Sequence, residues 1–460
     1  MKPVQSNWGA KQKTRVSRRE FVAGTVAASS FLIVPRHVLG GRGASAPSDK
    51  LNIAAIGAAG RGSDDLEEVS SENIVALCDV DSKFLDEMLK KYPGAVGYQD
   101  YRKMLEKEKN IDAVIVATPD HSHAIASISA IHMGKHVYCE KPLTHTIYEA
   151  RTLAKVAHEA KVVTQMGNQG MAHDANRDLK EWIWAGVIGS VREVHAWSDR
   201  PTRFGTKELW WPQALEPPKD KPPVPSSLNW DLWLGPAQYR PYHPAYVPMV
   251  WRGWWDFGTG AMGDLAIHNL APVFTALKLT TPTCVYGSST PVYEQSFPWA
   301  SVIHYEFPAR GEMPPVKLHW YDGGLLPPRP EELEDDIELP RENGVIFVGD
   351  KGKILLEEEG GARLRLMPKS RMNDFTPPPK TLPRSIGHHK EWIEACKGKG
   401  STQSRFEWAG PYTEVLLLGN ICIHLGGRKL YWDPVNMAVT NCREANQLLH
   451  FEYRKGWKLG

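Results

Sequence analysis

Leu51-Asn52-Ile53-Ala54-Ala55-Ile56-Gly57-Ala58-Ala59-Gly60-Arg61-Gly62 sets six mostly apolar residues directly before a glycine-rich run. A short apolar run without alternation, closed by glycine, reads as a buried parallel strand. Residues 63–69 can open a helix. Strand, glycine turn and helix in that order are the context a dinucleotide fingerprint requires. Glycines allow the tight turn and a close backbone approach, and the free N–H groups of a helix start favour phosphate. Gly57, Gly60, Arg61 and Gly62 are therefore candidate cofactor contacts. Ala59 holds the middle position of G-x-G-x-x-G, a departure from the pattern, with Gly60 beside it.

The next segments extend the same fold. Residues 73–77 are apolar and end in Cys78-Asp79-Val80-Asp81. An acid about 20 residues beyond the glycines is placed to bond the adenine ribose. Asp79 is the candidate, and its charge would repel a 2′-phosphate, so NAD is expected over NADP. Asp81 suits the cap of a helix over 82–91. Residues 111–117 form a third buried strand, followed by Thr118-Pro119-Asp120-His121-Ser122-His123 and a helix through 133. That turn lies at the carboxyl end of a strand, so Thr118, Pro119, His121 and His123 are candidate cofactor contacts. Residues 134–139 give a fourth strand, which stops at Glu140-Lys141-Pro142. A helix over 146–160 and a strand over 162–165 complete a doubly wound sheet. Lys141 stands where one half of the chain meets the other and can touch both cofactor and substrate. Glu140 is structural or orients it.

Farther on, 210–250 is dense in Pro, Trp and Tyr, and its prolines forbid regular ladders. A long loop of this kind is expected to wall a substrate site. It leads into Trp251-Arg252-Gly253-Trp254-Trp255-Asp256-Phe257-Gly258-Thr259-Gly260-Ala261-Met262-Gly263-Asp264-Leu265-Ala266-Ile267-His268. After the glycines the spacing turns helical, and Asp264 and His268, at i and i+4, are expected on one face. An imidazole can accept a hydroxyl proton near neutral pH. The carboxylate can fix that imidazole or grip a neighbouring hydroxyl. No third ligand accompanies the pair, so no metal is expected. Strands follow at 284–288, 300–307 and 316–321, then a hairpin of 344–348 with 353–356, and helices at 390–396 and 413–425. Segments 322–345 and 368–384 read as loops.

Upstream, Ser17-Arg18-Arg19-Glu20-Phe21-Val22 resembles the twin-arginine export motif. The mild apolar run 22–34 is too short to span a membrane, which takes about 20 residues. Gly40 and Ala44-Ser45-Ala46 offer cleavage sites. This route carries folded proteins, so a cofactor loaded before export could travel with the chain.

The totals exclude some classes. At 460 residues the chain is expected to hold two or more domains. A formal charge of +2 without a basic aromatic stripe argues against a nucleic-acid partner. Seventeen tryptophans admit two readings, aromatic cores or carbohydrate stacking. Six cysteines show no CxxC and read as small buried hydrophobes, although export would permit a disulfide.

The glycine turn, Ala117-Thr118-Pro119 with His121 and His123, Glu140-Lys141-Pro142 and the D-x-x-x-H of Asp264 and His268 together resemble the Gfo/Idh/MocA family, which includes glucose–fructose oxidoreductase and inositol dehydrogenase. The resemblance implies an α/β fold: a Rossmann domain plus an α+β domain with a large open, mostly antiparallel sheet. Its divisions would be a signal peptide at 1–46, an NAD-binding domain at 47–166, a substrate and oligomerisation domain at 167–440, and a tail at 441–460 packing back on the protein. It also implies a homo-oligomer through the open sheet. In the family the lysine matching Lys141 lies near the reactive carbon of the nicotinamide and contacts substrate, and the residues matching Asp264 and His268 contact sugar and assist proton transfer. The expected activity is hydride transfer between a sugar, polyol or glycoside carbinol and a tightly held nicotinamide. Two rivals remain: glycosidase or lyase chemistry through transient sugar oxidation, and a non-catalytic sugar-binding protein.

Overall fold

The computed structural model describes residues 49–459. The twin-arginine segment and its cleavage region lie outside the described residues. Residues Leu51–Gly460 make one compact unit containing two sheets.

The first sheet is built from β1 (Asn52–Ile56), α1 (Arg61–Glu68), β2 (Asn73–Cys78), α2 (Ser82–Lys91), β3 (Val96–Tyr98), α3 (Tyr101–Lys107), β4 (Ala113–Val116), α4 (Asp120–His132), β5 (His136–Glu140), α5 (Ile147–Ala160) and β6 (Thr164–Gly167). Its order is β3-β2-β1-β4-β5-β6, and every pairing is parallel. β1 and β4 are almost wholly buried, as strands covered on both faces must be. Asp81 caps α2 by accepting from the Lys83 N–H, as its position predicts, which leaves Asp79 uncommitted to the helix. Thr146 and Glu149 form a capping box that starts α5.

The second half runs α6 (Asp174–Trp184), β7 (Val191–Ser198), α7 (Trp230–Leu234), a π-helical turn (Met262–Ala266), α8 (Ile267–Ala276), β8 (Cys284–Ser289), β9 (Ser301–Phe307), β10 (Val316–Tyr321), β11 (Asn343–Gly349), β12 (Gly352–Glu357), β13 (Arg363–Met367), α9 (His388–Cys396), α10 (Phe406–His424), β14 (Leu430–Asp433), β15 (Ala438–Val439) and α11 (Arg443–Gln447). Nine strands lie in the order β13-β12-β11-β7-β10-β9-β8-β14-β15. Only β7 and β10 pair in parallel. β9 and β10 alternate buried with partly exposed residues, so one face packs on the core and the other is more open. The 322–342 loop folds over part of that second face, where Leu333 and Leu339 pack with Trp197 and Ile346.

The later chain also completes the first sheet. Trp392 of α9 is buried among Ile53, Leu77 and Tyr138. α10 packs on α5 so tightly that a Cβ on Gly410 would stand 2.9 Å from the Ala150 carbonyl, and Arg151 and Glu414 bridge the two helices at 2.6 and 2.9 Å. In the tail, Trp457 lies against Arg102 and Tyr101. Most of the described tryptophans are core. Trp230, Trp233, Trp251 and Trp254 form a separate aromatic cluster with Tyr246 and Phe257, which anchors the proline-rich stretch by packing. All six cysteines are unpaired.

Candidate active site

The carboxyl ends of β1, β4 and β5 line up a strip of half-exposed backbone: Gly57, Ala59, Thr118, Pro119 and Lys141, with Gly60 and Arg61 exposed beside it. Two glycines in the strip are obligatory. A Cβ on Gly62 would sit 1.9 Å from the Gly57 carbonyl, and one on Gly57 (φ 80°) would sit 2.6 Å from the Ala117 carbonyl. Gly60 also has a left-handed backbone (φ 55°), with nothing within 4 Å of its would-be Cβ, so the turn presents bare backbone at the start of α1. The Ala59 N–H at the middle position turns inward to the Asp79 carboxylate (3.4 Å), whose other oxygen accepts from the Asp81 N–H (3.0 Å). Burial pushes the Asp79 carboxyl up to about 6. A helix start with open backbone and a carboxylate behind it fits a dinucleotide pyrophosphate and ribose.

Arg61 and Glu140 belong to the scaffold beneath this strip. Arg61 Nε donates to Glu140 Oε1 at 3.2 Å, and its guanidinium also nears Asp64 and Asp65, both at 3.6 Å. Glu140 further accepts from Gln169 (2.6 Å) and from the Lys141 N–H (3.3 Å). Burial and the neighbouring Asp65 push it up to about 7 against the pull of Arg61. Gly167 must be glycine here, since a Cβ would meet Glu140 Oε1 at 2.3 Å. These contacts tie the glycine turn to the strand that carries Lys141.

The two histidines of the β4–α4 turn are spent internally. His121 is wholly buried between the Trp233 and Phe257 rings, its nitrogens 3.0 Å from the Trp233 carbonyl and 3.3 Å from the Phe257 carbonyl. His123 Nδ1 and Nε2 each lie 2.7 Å from a carbonyl, of Pro142 and Thr118 respectively. Two acceptors require two N–H groups, so His123 is an imidazolium. Burial opposes that charge, but Cys139, Asp120 and the Pro142 carbonyl outweigh it and carry the ring to about 10. Burial holds His121 down to about 3, so its neutral ring donates from one nitrogen only; expected to meet the cofactor directly, both rings instead pack between segments of the chain.

Lys141 reaches across to the π-helical turn. Its Nζ donates to the Asp264 carbonyl (2.7 Å) and to Asp264 Oδ1 (2.9 Å). Arg252 Nε donates to the same oxygen at 3.0 Å, and Arg200 Nε lies 3.7 Å from Oδ2. Burial alone would raise Asp264; the three cations hold it far below the usual carboxylate range. Asp264 and His268 were expected on one helix face; residues Met262–Ala266 form a π-helical turn, and the carboxylate is taken by Lys141, Arg252 and Arg200 rather than by His268. Gly263 permits this turn: a Cβ would stand 1.6 Å from Thr259 Oγ1. Thr259 in turn donates to the buried Asp120 at 2.6 Å, and Tyr412 donates to the Ala266 and Ile267 carbonyls.

His268 is buried, and its Nε2 lies 3.6 Å from Glu359 Oε1 in the β12–β13 turn. Burial, then the Lys141 ammonium, holds its pKa well below the ordinary value, so it is a neutral imidazole. Arg252, Arg200 and Glu359 were not singled out by the sequence. Arg252 stands in the quoted 251–268 stretch, but nothing local marks its partner. Trp210 covers Arg200, with the guanidinium 4.0 Å from the ring centroid, which brings the 210–250 stretch to the edge of the trio. A cavity of about 280 Å³ lined by His145, Trp255, Thr259 and Phe297 is not bordered by Lys141, Asp264 or His268.

Comparison with known proteins agrees with this architecture. Residues 51–168 match the family model described as an oxidoreductase family with an NAD-binding Rossmann fold. Residues 173–286 match that family's C-terminal alpha/beta domain. The chain belongs to the Gfo/Idh/MocA oxidoreductase family. It is 30% identical over 152 residues to inositol 2-dehydrogenase of Salmonella typhimurium, a match covering 32% of this chain and 44% of that enzyme. It is 30% identical over 109 residues to 2,7-anhydro-N-acetylneuraminate hydratase of Escherichia coli, covering 23% of this chain and 29% of that one. The matched stretch thus spans less than half of these relatives. The WlbA dehydrogenase of Bordetella pertussis, solved with NADH and UDP-GlcNAcA, shares the fold with a TM-score of 0.58 at 16% identity, covering 84% of this chain and 99% of that one.

Proposed function

We propose that this protein is an NAD-dependent oxidoreductase acting on a CH–OH group of a sugar, polyol or glycoside, exported by the twin-arginine route with its nicotinamide tightly held. The observation that carries the reading is Lys141, fixed between the glycine strip and the Asp264 turn with neutral His268 alongside. Gly57, Ala59, Gly60, Gly62, Asp79, Thr118 and Pro119 would hold the dinucleotide. When bound, the nicotinamide supplies the two-electron acceptor for a carbinol carbon. Lys141 Nζ donates a hydrogen bond to the carbinol oxygen and stabilises its developing negative charge. His268, neutral, takes the hydroxyl proton. Asp264 holds Lys141 in place and, with Arg252 and Arg200, orients neighbouring hydroxyls.

The hydratase relative favours a second reading, in which transient oxidation acidifies the neighbouring C–H and permits elimination before the carbonyl is reduced again. Both readings place a retained cofactor beside Lys141, and both use the open sheet of the second half for self-association. One experiment separates them. Purified protein is examined for bound NAD by absorbance and mass spectrometry, then screened with sugars and glycosides at 340 nm and for released aglycone. Net cofactor reduction supports the dehydrogenase, and aglycone release without net reduction supports elimination. Absence of both across the screen would favour a sugar-binding protein instead. Replacing Arg18 and Arg19 with lysine should retain the precursor in the cytoplasm, and normal export of that variant would refute the route.

A further inference from the structure

The more open face of the nine-stranded sheet carries a row of histidines far along the chain from one another. His195 of β7 is the register partner of His319 of β10, and His319 is in turn the partner of His304 of β9. Glu193, two residues before His195, points to the same face. We infer that Glu193, His195 and His319 form a binding site for a divalent transition-metal ion of the zinc type, with His304 and Tyr321 as its outer shell.

The distances fit such an ion. Glu193 Oε1 lies 2.9 Å from His319 Nε2 and 3.4 Å from His195 Nε2, and the three ligand atoms all fall within 4.8 Å of one another. Around a tetrahedral zinc with 2.0–2.1 Å bonds the ligand–ligand edge is about 3.3 Å. Two imidazoles and one carboxylate are a donor set that zinc takes with a fourth position open to water or another ligand.

The second nitrogen of each ring is also provided for. His195 Nδ1 is 3.1 Å from the Tyr321 hydroxyl, and His319 Nδ1 is hydrogen-bonded to His304 Nδ1. If Nδ1 of each ligand carries the proton and donates it outward, Nε2 is left as a lone pair aimed at Glu193. Metal-bound histidines show this arrangement, their other N–H held by an outer partner. Burial lowers the pKa of His195, His319 and His304, so all three are available in the neutral form that ligates. Lys353 and Lys317 are the nearby cations, and Lys353 is engaged by Glu332. The absence of a metal expected from the sequence rested on Asp264 and His268; the residues gathered here share no local motif.

The test uses the untagged full chain, stripped with chelator, loaded with zinc and dialysed, with retained metal counted by mass spectrometry. One equivalent per chain is expected, and cobalt loading should give the visible absorption of a tetrahedral site. His195→Gln and His319→Gln should each abolish stoichiometric retention. His304→Ala, outside the ligand set, should weaken affinity by about 10–100-fold, and circular dichroism shows that each variant is folded. No retained zinc in the wild type, or one equivalent in a folded His195→Gln/His319→Gln double variant, would overturn the site.

Discussion

Replacing Lys141 with methionine keeps the unbranched stem but removes the ammonium, which separates the structural role of Lys141 from the proposed catalytic one. As a structural element it donates to the Asp264 carbonyl at 2.7 Å and to the carboxylate at 2.9 Å. Hydrogen bonds to charged groups contribute about 1.5–3 kcal/mol, and orphaning a buried charge costs about 3–5 kcal/mol. Asp264 is not orphaned in this variant, because Arg252 at 3.0 Å and Arg200 at 3.7 Å remain. The stability loss should therefore stay near 2 kcal/mol, at the low end of the first range. In the proposed reaction Lys141 would donate to an oxygen whose negative charge develops only in the transition state. Losing one such donor costs about 10²–10³ in kcat, or about 2.7–4 kcal/mol. The assay pairs urea unfolding with single-turnover reduction of the bound cofactor on the substrate found by screening. Lys141→Met should stay folded, lose about 2 kcal/mol and fall by at least 100-fold in rate. A variant that shows the stability loss yet turns over within a few-fold of wild type would confine Lys141 to holding Asp264, and the proposed chemistry would fail with it.

Three further outcomes follow from the same geometry. Gly62→Ala forces a Cβ to within 1.9 Å of the Gly57 carbonyl, so the turn must open; cofactor affinity should fall at least tenfold by fluorescence titration, about 1.4 kcal/mol, and unchanged affinity would remove the turn from the cofactor site. Asp79→Asn removes the charge expected to repel a 2′-phosphate and should narrow the preference for NAD over NADP in the same titration; an unaltered ratio would show that Asp79 does not set it. His268 is held below its ordinary pKa by burial and Lys141, so it stays unprotonated as pH falls through 6.5, the ordinary value. The acid limb of kcat/KM should therefore lie well below that pH, whereas a limb at the ordinary histidine value would show that this ring is not the base. The same depression has a stability sign: below the unfolded pKa the unfolded state takes up a proton that the native state refuses, so this group costs stability only as the solution is acidified.

The first sheet was legible because each of its signals is local. An apolar run, a glycine turn and a helix start lie within a dozen residues of one another at Gly57–Gly62, and the pattern recurs through Gln165, except that β3 and α3, short and mostly exposed at the sheet edge, were not read, so the strand taken as third is the fourth. Asp81 could be told from Asp79 because a cap must immediately precede its helix. What escaped depends on contacts between distant segments. α9 inserts Trp392 into the first sheet from more than 200 residues downstream, so a boundary drawn at 166 describes chain order better than packing. The histidine row exists only in the register of β7, β10 and β9, which no linear motif encodes. His121 and His123 were read from their place on a helix start, and that place does not reveal that backbone carbonyls face their nitrogens.

The Asp264–His268 pair is the most instructive departure, because the carboxylate's partners come from distant segments and not from its own helix. The i, i+4 rule concerns only neighbours on one turn, and it carries no sign of the cations that distant segments bring to the carboxylate. Freed from the histidine, the carboxylate gathers Lys141, Arg252 and Arg200. Of these cations it is Lys141 that, after burial, opposes protonation of His268, while Asp264 pulls the other way. Burial and Lys141 keep the imidazole neutral, the form that the proposed reaction requires of its base. In the proposed oxidation, Lys141 would thus serve twice, stabilising an oxyanion and helping burial to keep His268 neutral as the base.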